Sequence, residues 1–235
     1  MQLFYSEHIT PTTILLPEEE SVHCTKVLRR SIGQTIQVID GKGTMYDAEI
    51  IEIHKKQTIC SIKTSHNNFG VHPYFLRMCV APTKNIDRFE FFIEKAVEMG
   101  VNEIIPIQCE NSERITVKPE RLERICISAM KQSFKAQKPI IAPIQPCSTI
   151  LSSKYEGVCC IAHCSDSEHK KNLFSQITKG IPTTIIIGPE GDFSKQEIQL
   201  AQQHNWIEVH LGTSRLRTET AAIAAVHTVY VKHSE

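Results

Sequence analysis

Two short stretches concentrate the residue types that can do chemistry. The first, Ile185-Ile186-Ile187-Gly188-Pro189-Glu190-Gly191-Asp192-Phe193-Ser194, ends an apolar run in two glycines that flank a proline and a carboxylate. Glycine lets a backbone approach a ligand closely, Glu190 can accept hydrogen bonds, and Ser194 suits the cap of a following helix. The stretch lacks the lysine of a P-loop and is not GxGxxG; the same letters also suit an ordinary tight strand-to-helix turn. The second, Leu211-Gly212-Thr213-Ser214-Arg215-Leu216-Arg217-Thr218-Glu219-Thr220-Ala221, places two arginines, three hydroxyl-bearing residues and one glutamate within Ser214 to Thr220. A surface loop needs no such density of polar groups. A site that stabilises a developing anion and moves or orients a proton does.

Strands must deliver both stretches. Thr183 to Ile187 and Ile207 to Leu211 read as strands, with helices at about Lys195 to His204 and Thr220 to Lys232. Each stretch therefore lies beyond the carboxyl end of a strand, where ligands sit in parallel α/β sheets. Further strands are expected at Tyr74–Ala81, Glu103–Ile107 and Val158–His163. Helices are expected at Asp87–Met99, with Phe89, Phe92, Ile93, Ala96 and Val97 at helical spacing and Gly100 as its stop, and at Pro119–Phe134. Apolar strands alternating with amphipathic helices imply a mostly parallel sheet covered on both faces.

The first seventy residues differ. Thr35–Asp40, Thr44–Ile53 and Gln57–Thr64 read as strands, the first two joined by the turn Asp40-Gly41-Lys42-Gly43. Pro17–Arg30 reads as a helix carrying Val22, Val27 and Leu28, which together suggest a small β-barrel with one helix. The polar, glycine-terminated run Ser65–Gly70 reads as a linker, dividing the chain into domains 1–70 and 71–235.

Charge is balanced at 26 basic and 26 acidic residues. Positive residues gather locally at Arg114, Lys118, Arg121, Arg124, Lys131, Lys135 and Lys138, against only Glu120 and Glu123. Such a face either holds a phosphate backbone or is a solvated helix face, and charge alone favours the second. No apolar run is long enough to cross a bilayer and no signal pattern opens the chain, so a cytoplasmic protein without membrane contact is expected. Nine cysteines with no CxxC pair, several of them in apolar runs (Cys60, Cys79, Cys159, Cys160), read as small buried hydrophobes. Cys160 and Cys164 have no second ligand pair at finger-like spacing, so no metal is expected.

The pairing of IIIGPEGDFS with LGTSRLRTETA resembles the SPOUT superfamily, specifically the RsmE-type 16S ribosomal RNA uracil-N3 methyltransferases. The opening LFY, the HCTKVLRR and IDGKG segments, APTKNIDRFEFFIEKAVEMG and SERI at 112–115 carry the resemblance through nearly the whole chain. It implies an α/β fold: a C-terminal parallel-sheet domain with a trefoil knot, preceded by a PUA-like β-barrel that grips RNA. It also implies S-adenosylmethionine as cofactor, 16S ribosomal RNA or the small ribosomal subunit as partner, and a homodimer with each site near the subunit interface. Carried onto this chain, the cofactor touches Gly188, Glu190 and Gly191 in the first loop and Leu211, Gly212, Leu216, Arg217 and Thr218 in the second. Ala162 and His163 line the same pocket, although His163 by itself reads as a packed or surface histidine.

For the chemistry, Arg217 is the expected stabiliser of the uracil anion and Glu219 the orienting group or base, unless Glu219 merely pairs with Arg215 or Arg217. Thr220 either binds the uracil edge or caps the last helix. RNA contacts are expected from Arg29, Arg30, Lys84, Arg88, Arg114 and Gln132, mostly to phosphates; Arg88 has the competing reading of an ion pair with Glu98 or Glu90. Two other functions compete: a non-catalytic RNA-binding or ribosome-assembly factor, and a methyltransferase acting on another RNA such as transfer RNA. The intact loops argue against the first, because a pure binder has no use for them.

Overall fold

A computed structural model describes residues 2–165 and 169–235. The chain divides into two compact units, Met1–Val71 with Ile127–Lys138, and His72–Cys126 with Pro139–Glu235.

The first unit opens with β1 (Leu3–Tyr5), β2 (Thr13–Leu16) and α1 (Glu18–Val22), the last running into a π turn over His23–Val27. Strands β3 (Thr35–Ile39), β4 (Thr44–Ile53) and β5 (Thr58–Asn67) follow. The sheet order is β1-β3-β4-β5-β2, antiparallel except for the parallel β1–β3 pair. At the β3–β4 turn the Asp40 carboxylate accepts from the amides of Lys42 (2.7 Å) and Thr44 (3.0 Å), while Gly41 and Gly43 take φ of 75° and 101°. Phe4, Ile14, Leu16, Ile36, Val38 and Ile50 fill the core.

Two expectations need correction here. The Ser65–Gly70 run is not a linker throughout: Ser65, His66 and Asn67 continue β5 and pair with Tyr46, Met45 and Thr44. Its polarity reflects a strand end exposed on both faces. The expected helix Pro17–Arg30 is also shorter. It ends at Leu28, Arg29 turns to φ 53°, and Val27 is 62% exposed while Cys24 and Glu20 face inward. Widening to the π turn rotates the apolar stripe away from Val27. Residues 127–138 join this unit through backbone bonds from Ala136 to Phe69 (3.0 Å) and from Gly43 to Ala136 (2.9 Å), and through a Lys131–Glu20 ion pair.

The second unit contains β6 (Leu76–Val80), α2 (Ile86–Glu98), β7 (Glu103–Gln108), α3 (Pro119–Gln132, its second half assigned to the first unit), β8 (Ile140–Ile141), β9 (Gln145–Pro146) and α4 (Cys147–Ser152). It continues with β10 (Val158–Ala162), β11 (Lys171–Asn172), α5 (Leu173–Gln176), β12 (Thr183–Ile187), α6 (Lys195–Gln203), β13 (Ile207–His210) and α7 (Thr218–Ser234). All its strand pairs are parallel, in the order β11-β13-β10-β12-β6-β7-β8, with β9 also on β7. This is an α/β fold on a parallel sheet. Strand β12 is buried at all five positions, as its unbroken apolar sequence requires. Asn85 caps α2 by accepting from the Asp87 amide (3.1 Å), and Phe89, Phe92, Ile93, Ala96 and Val97 form its buried face. Ser194 and Glu197 close a reciprocal capping box on α6. Among the described residues no helix is long and apolar enough to cross a membrane.

Candidate active site

The sheet order decides where the chemistry sits. Strand β10 lies between β12 and β13, with Ala162 level with both Ile187 and Val209. Three chain segments therefore leave the sheet side by side, after Ala162, after Ile187 and after His210. They enclose a cavity of about 670 Å³. Its walls are Ala162, Ile187, Val209, Leu211, Leu216 and Ala221, together with the backbone of Gly188 and Gly212.

Hydrogen bonds hold these segments to one another. The buried Thr218 hydroxyl donates to the Gly188 carbonyl (3.1 Å), closing the third loop on the second. The Asp192 carboxylate accepts from the Cys164 amide (2.9 Å), closing the second on the first. Asp192 holds φ 59°, a left-handed conformation that aspartate tolerates better than most residues. The Asn111 side-chain amide donates to the carbonyls of Gly191 and Asp192, both at 3.1 Å, and the Lys84 amide donates to the Glu190 carboxylate (3.0 Å). On the first loop, Lys170 donates to the His163 carbonyl (2.8 Å).

Of the residues expected at the cofactor, the structure brings Ala162, His163, Gly188, Glu190, Leu211, Gly212, Leu216, Arg217 and Thr218 to the cavity. Gly191 is not among its lining residues. It packs on Asn111, whose Cβ a side chain at 191 would meet at 2.9 Å, so its small size serves loop packing. Gly188 is small for a similar reason: a Cβ there would stand 2.9 Å from the Phe193 ring. His163 is a packed histidine whose ring sits 2.8 Å from Glu208, itself held by Gln202 (2.9 Å). Burial pushes its pKa below the usual imidazole value, against the upward pull of the Glu208 hydrogen bond.

A second hollow of about 400 Å³ lies on the other side of the first turn of α7, lined by Asp87, Arg88, Phe91, Glu219, Thr220 and Ile223. The three residues expected to be catalytic thus divide, Arg217 facing the cavity and Glu219 and Thr220 the hollow. Glu219 does not pair with Arg215 or Arg217. Its 12%-exposed carboxylate faces Arg88 at 3.9 Å, with one oxygen free of any hydrogen bond. Arg88 correspondingly pairs with neither Glu98 nor Glu90, since Glu90 is taken by Arg121 and Glu98 by Lys95. Among the described residues Arg215 and Arg217 have no ion-pair partner. Thr220 is not the helix cap. Arg217 occupies that position in extended conformation (φ −72°, ψ 157°), and its carbonyl accepts from the Ala221 amide (2.8 Å).

Among the expected RNA contacts, Arg29, Arg30 and Gln132 are exposed on the first unit. Lys84 is exposed but paired with Glu113 (2.8 Å). Arg114 departs most from expectation, because its guanidinium donates to the backbone carbonyls of Thr83 (3.0 Å) and Lys84 (2.8 Å) and so supports the loop beneath Glu190. Three residues of the basic run 114–138 pair with distant acids: Arg121 with Glu90, Lys131 with Glu20 and Lys138 with Glu7. Asn111, Asp192 and Lys170 escaped the sequence reading as site residues. Position just beyond a parallel strand is the signal that could have found Asn111, which follows β7.

Residues 72–230 match the family described as RNA methyltransferase domain, and residues 16–63 match the RNA methyltransferase PUA domain. Fold, cavity and domain match together place the chain among the RNA methyltransferases. A Mesomycoplasma hyopneumoniae protein named ribosomal RNA small subunit methyltransferase E is 37% identical over 182 residues, which is 75% of this chain and 73% of that protein. The crystal structure of a probable rRNA-methyltransferase from Porphyromonas gingivalis is 36% identical with a TM-score of 0.93, covering 100% of this chain and 99% of that one. That of a ribosomal RNA small subunit methyltransferase E from Neisseria gonorrhoeae, bound to S-adenosyl methionine, is 27% identical with a TM-score of 0.82, covering 98% and 97%. The chain belongs to the ribosomal RNA small subunit methyltransferase E family.

Proposed function

We propose that this enzyme transfers the methyl group of S-adenosylmethionine to N3 of a uridine in 16S ribosomal RNA of the small subunit. The observation that carries the reading is the closure of three separate loops on one cavity, with an arginine free of ion pairs, Arg217, on its wall. The cavity fits the cofactor. Its volume falls within the roughly 300–1,000 Å³ typical of small-molecule sites, its walls combine apolar side chains such as Ile187, Val209 and Leu216 with polar ones such as Glu190 and Arg217, and open space surrounds the Cβ position of Gly212. We assign adenosine and methionine contacts to the Ala162–His163, Gly188–Glu190 and Leu211–Thr218 segments. When bound, the cofactor supplies an electrophilic methyl group whose bond to a sulfonium breaks with its electron pair going to sulfur.

The chain's own residues must do the rest. Uracil N3 becomes nucleophilic when it loses its proton, and the resulting charge spreads to the flanking carbonyl oxygens. Arg217 stabilises that charge. Glu219, beside Arg88 and with one unengaged oxygen, orients the base or accepts the N3 proton, and Thr220 on the same face meets the base edge. Arg29, Arg30, Gln132, Lys84 and Arg88 hold RNA, mainly through phosphates, while Arg114 acts by bracing the Thr83–Lys84 loop. If RNA binding is electrostatic, its affinity falls steeply with added salt; a flat response would contradict it.

The finer architecture belongs to the same proposal: residues 1–70 as a PUA-like barrel that grips RNA, and residues 71–235 as a SPOUT-like domain with a knotted backbone. The strand order β13-β10-β12-β6 supports threading of this kind, because the chain inserts β12 between two strands laid down earlier. A homodimer and a cytoplasmic location complete it. The test is to incubate small-subunit RNA with labelled cofactor and map the product nucleoside by mass spectrometry. Labelled N3-methyluridine is the expected product, and label elsewhere or in transfer RNA alone refutes the assignment.

A further inference from the structure

Beside the Gly188–Ser194 loop, three side chains distant in sequence converge. Cys109 follows β7, Cys147 begins α4, and Glu197 lies in the first turn of α6. Their sulfur and carboxylate atoms all lie within 4.8 Å of one another, and both cysteines are buried, at 4% and 1% exposure. Among the described residues no other set of three such donors meets.

Two thiolates and a carboxylate form a donor set suited to zinc. Around a tetrahedral zinc ion, with bonds of about 2.3 Å to sulfur and about 2.0 Å to oxygen, donor atoms stand roughly 3.5–3.8 Å apart. The donors, all within 4.8 Å of one another, are close enough to converge on one ion. The surroundings also fix the donors in place, which is what outer contacts do for ligands. The two Glu197 oxygens accept from the amides of Ser194 (2.8 Å) and Glu110 (3.0 Å), and the Cys109 amide donates to the Ser112 hydroxyl (2.9 Å). The other buried cysteines stand in different company, for Cys60, Cys79 and Cys160 have no carboxylate and second thiol converging on them.

We propose that Cys109, Cys147 and Glu197 bind one divalent ion of the zinc class. Binding forms two metal–thiolate bonds and one metal–carboxylate bond, releases the two thiol protons to solvent, and leaves a fourth tetrahedral position to water. The ion joins the ends of β7, α4 and α6. The same segments carry Asn111 and Ser194, so it stiffens the frame of the cavity loop. The proposal does not depend on the identity of the substrate.

The experiment uses the reduced full-length protein, stripped with a chelator and titrated with Co²⁺ and then Zn²⁺. One equivalent of Co²⁺ should bind with a near-ultraviolet thiolate-to-metal absorption that Zn²⁺ abolishes. Cys109→Ser and Cys147→Ser should each reduce that band to about half at saturating Co²⁺, as one of the two thiolates is lost, and weaken binding by more than the roughly tenfold to hundredfold that loss of an outer contact costs. Glu197→Gln keeps side-chain size and should weaken binding while retaining the thiolate band. Cys164→Ser, at an exposed cysteine, should bind as the unsubstituted protein does. The proposal fails if the unsubstituted protein takes up no ion under these conditions, or if folded Cys109→Ser keeps the full thiolate band and the affinity of the unsubstituted protein.

Discussion

The cavity and the hollow beside it share the first turn of α7 but are built by different means. The cavity is made from strand ends, and what fixes it is backbone: a threonine hydroxyl on a glycine carbonyl, an asparagine amide on two carbonyls, an aspartate on an amide. The hollow is made from helix faces and offers side chains, Glu219 and Arg88 against Phe91 and Ile223. Walls held in place through backbone groups suit a ligand that every turnover presents in the same shape. Side chains suit the changing charge of a reaction, which needs a donor and an acceptor. In the proposed assignment the reacting groups straddle one helical turn, with Arg217 on the cavity side and Glu219 and Thr220 on the side of the hollow.

Substitutions on either side of that turn test the assignment. The largest effect is expected for Arg217→Ala, where single-turnover methylation should fall roughly a hundred- to thousandfold, as when one anion-stabilising donor is lost. Calorimetry should still detect adenosylmethionine binding. Glu219→Gln should slow the same step by roughly a hundredfold and leave cofactor affinity unchanged, since the residue lies outside the cavity. Near-normal rates in both variants would remove the pair from the chemistry.

Thr218→Val acts on the cavity side. It leaves the buried Gly188 carbonyl without its side-chain donor and should cost about 1–3 kcal/mol of stability in denaturant titration. Adenosylmethionine should restore part of this in proportion to its concentration; unchanged stability would mean that the loops do not depend on this bond. The smallest effect concerns pH. Because the folded pKa of His163 is depressed, the neutral ring is favoured in the native state. Its contribution is complete above the unfolded value of about 6.5 and is lost as pH falls through the folded value. Melting temperature should therefore decline below neutrality, and less so in His163→Gln. Equal declines would assign the acid sensitivity to other groups.

What the sequence revealed follows from how locally each feature is encoded. The two loops were legible because each is continuous and follows an apolar strand. Asn111 and Lys170 reach the same site from elsewhere in the chain, and only the sheet order brings them there. The start of α7 was misplaced by two residues because Ser214, Thr218 and Thr220 are all plausible caps, whereas the helix begins after an extended Arg217 with no side-chain cap. The positive run at 114–138, which charge alone read as a solvated helix face, hides another limit. Counting neighbours in sequence misses Glu7, Glu20 and Glu90, which pair in space with Lys138, Lys131 and Arg121. Arg114 shows the same limit for a single residue, since a guanidinium aimed at two carbonyls looks identical in sequence to one aimed at a phosphate.

The placement of β12 also governs how the molecule reaches its native state. Its neighbours β6 and β10 precede it in the chain, so the middle of the sheet stays open until residues 183–187 arrive. Contacts spanning more than a hundred residues, such as Ile187 with Val80, form only then. Such distant pairing is entropically slow, whereas β3, β4 and β5 of the first unit join through short turns. Refolding should accordingly proceed in two phases, an early one for the antiparallel sheet and a late one in which insertion of a single strand makes the enzyme competent.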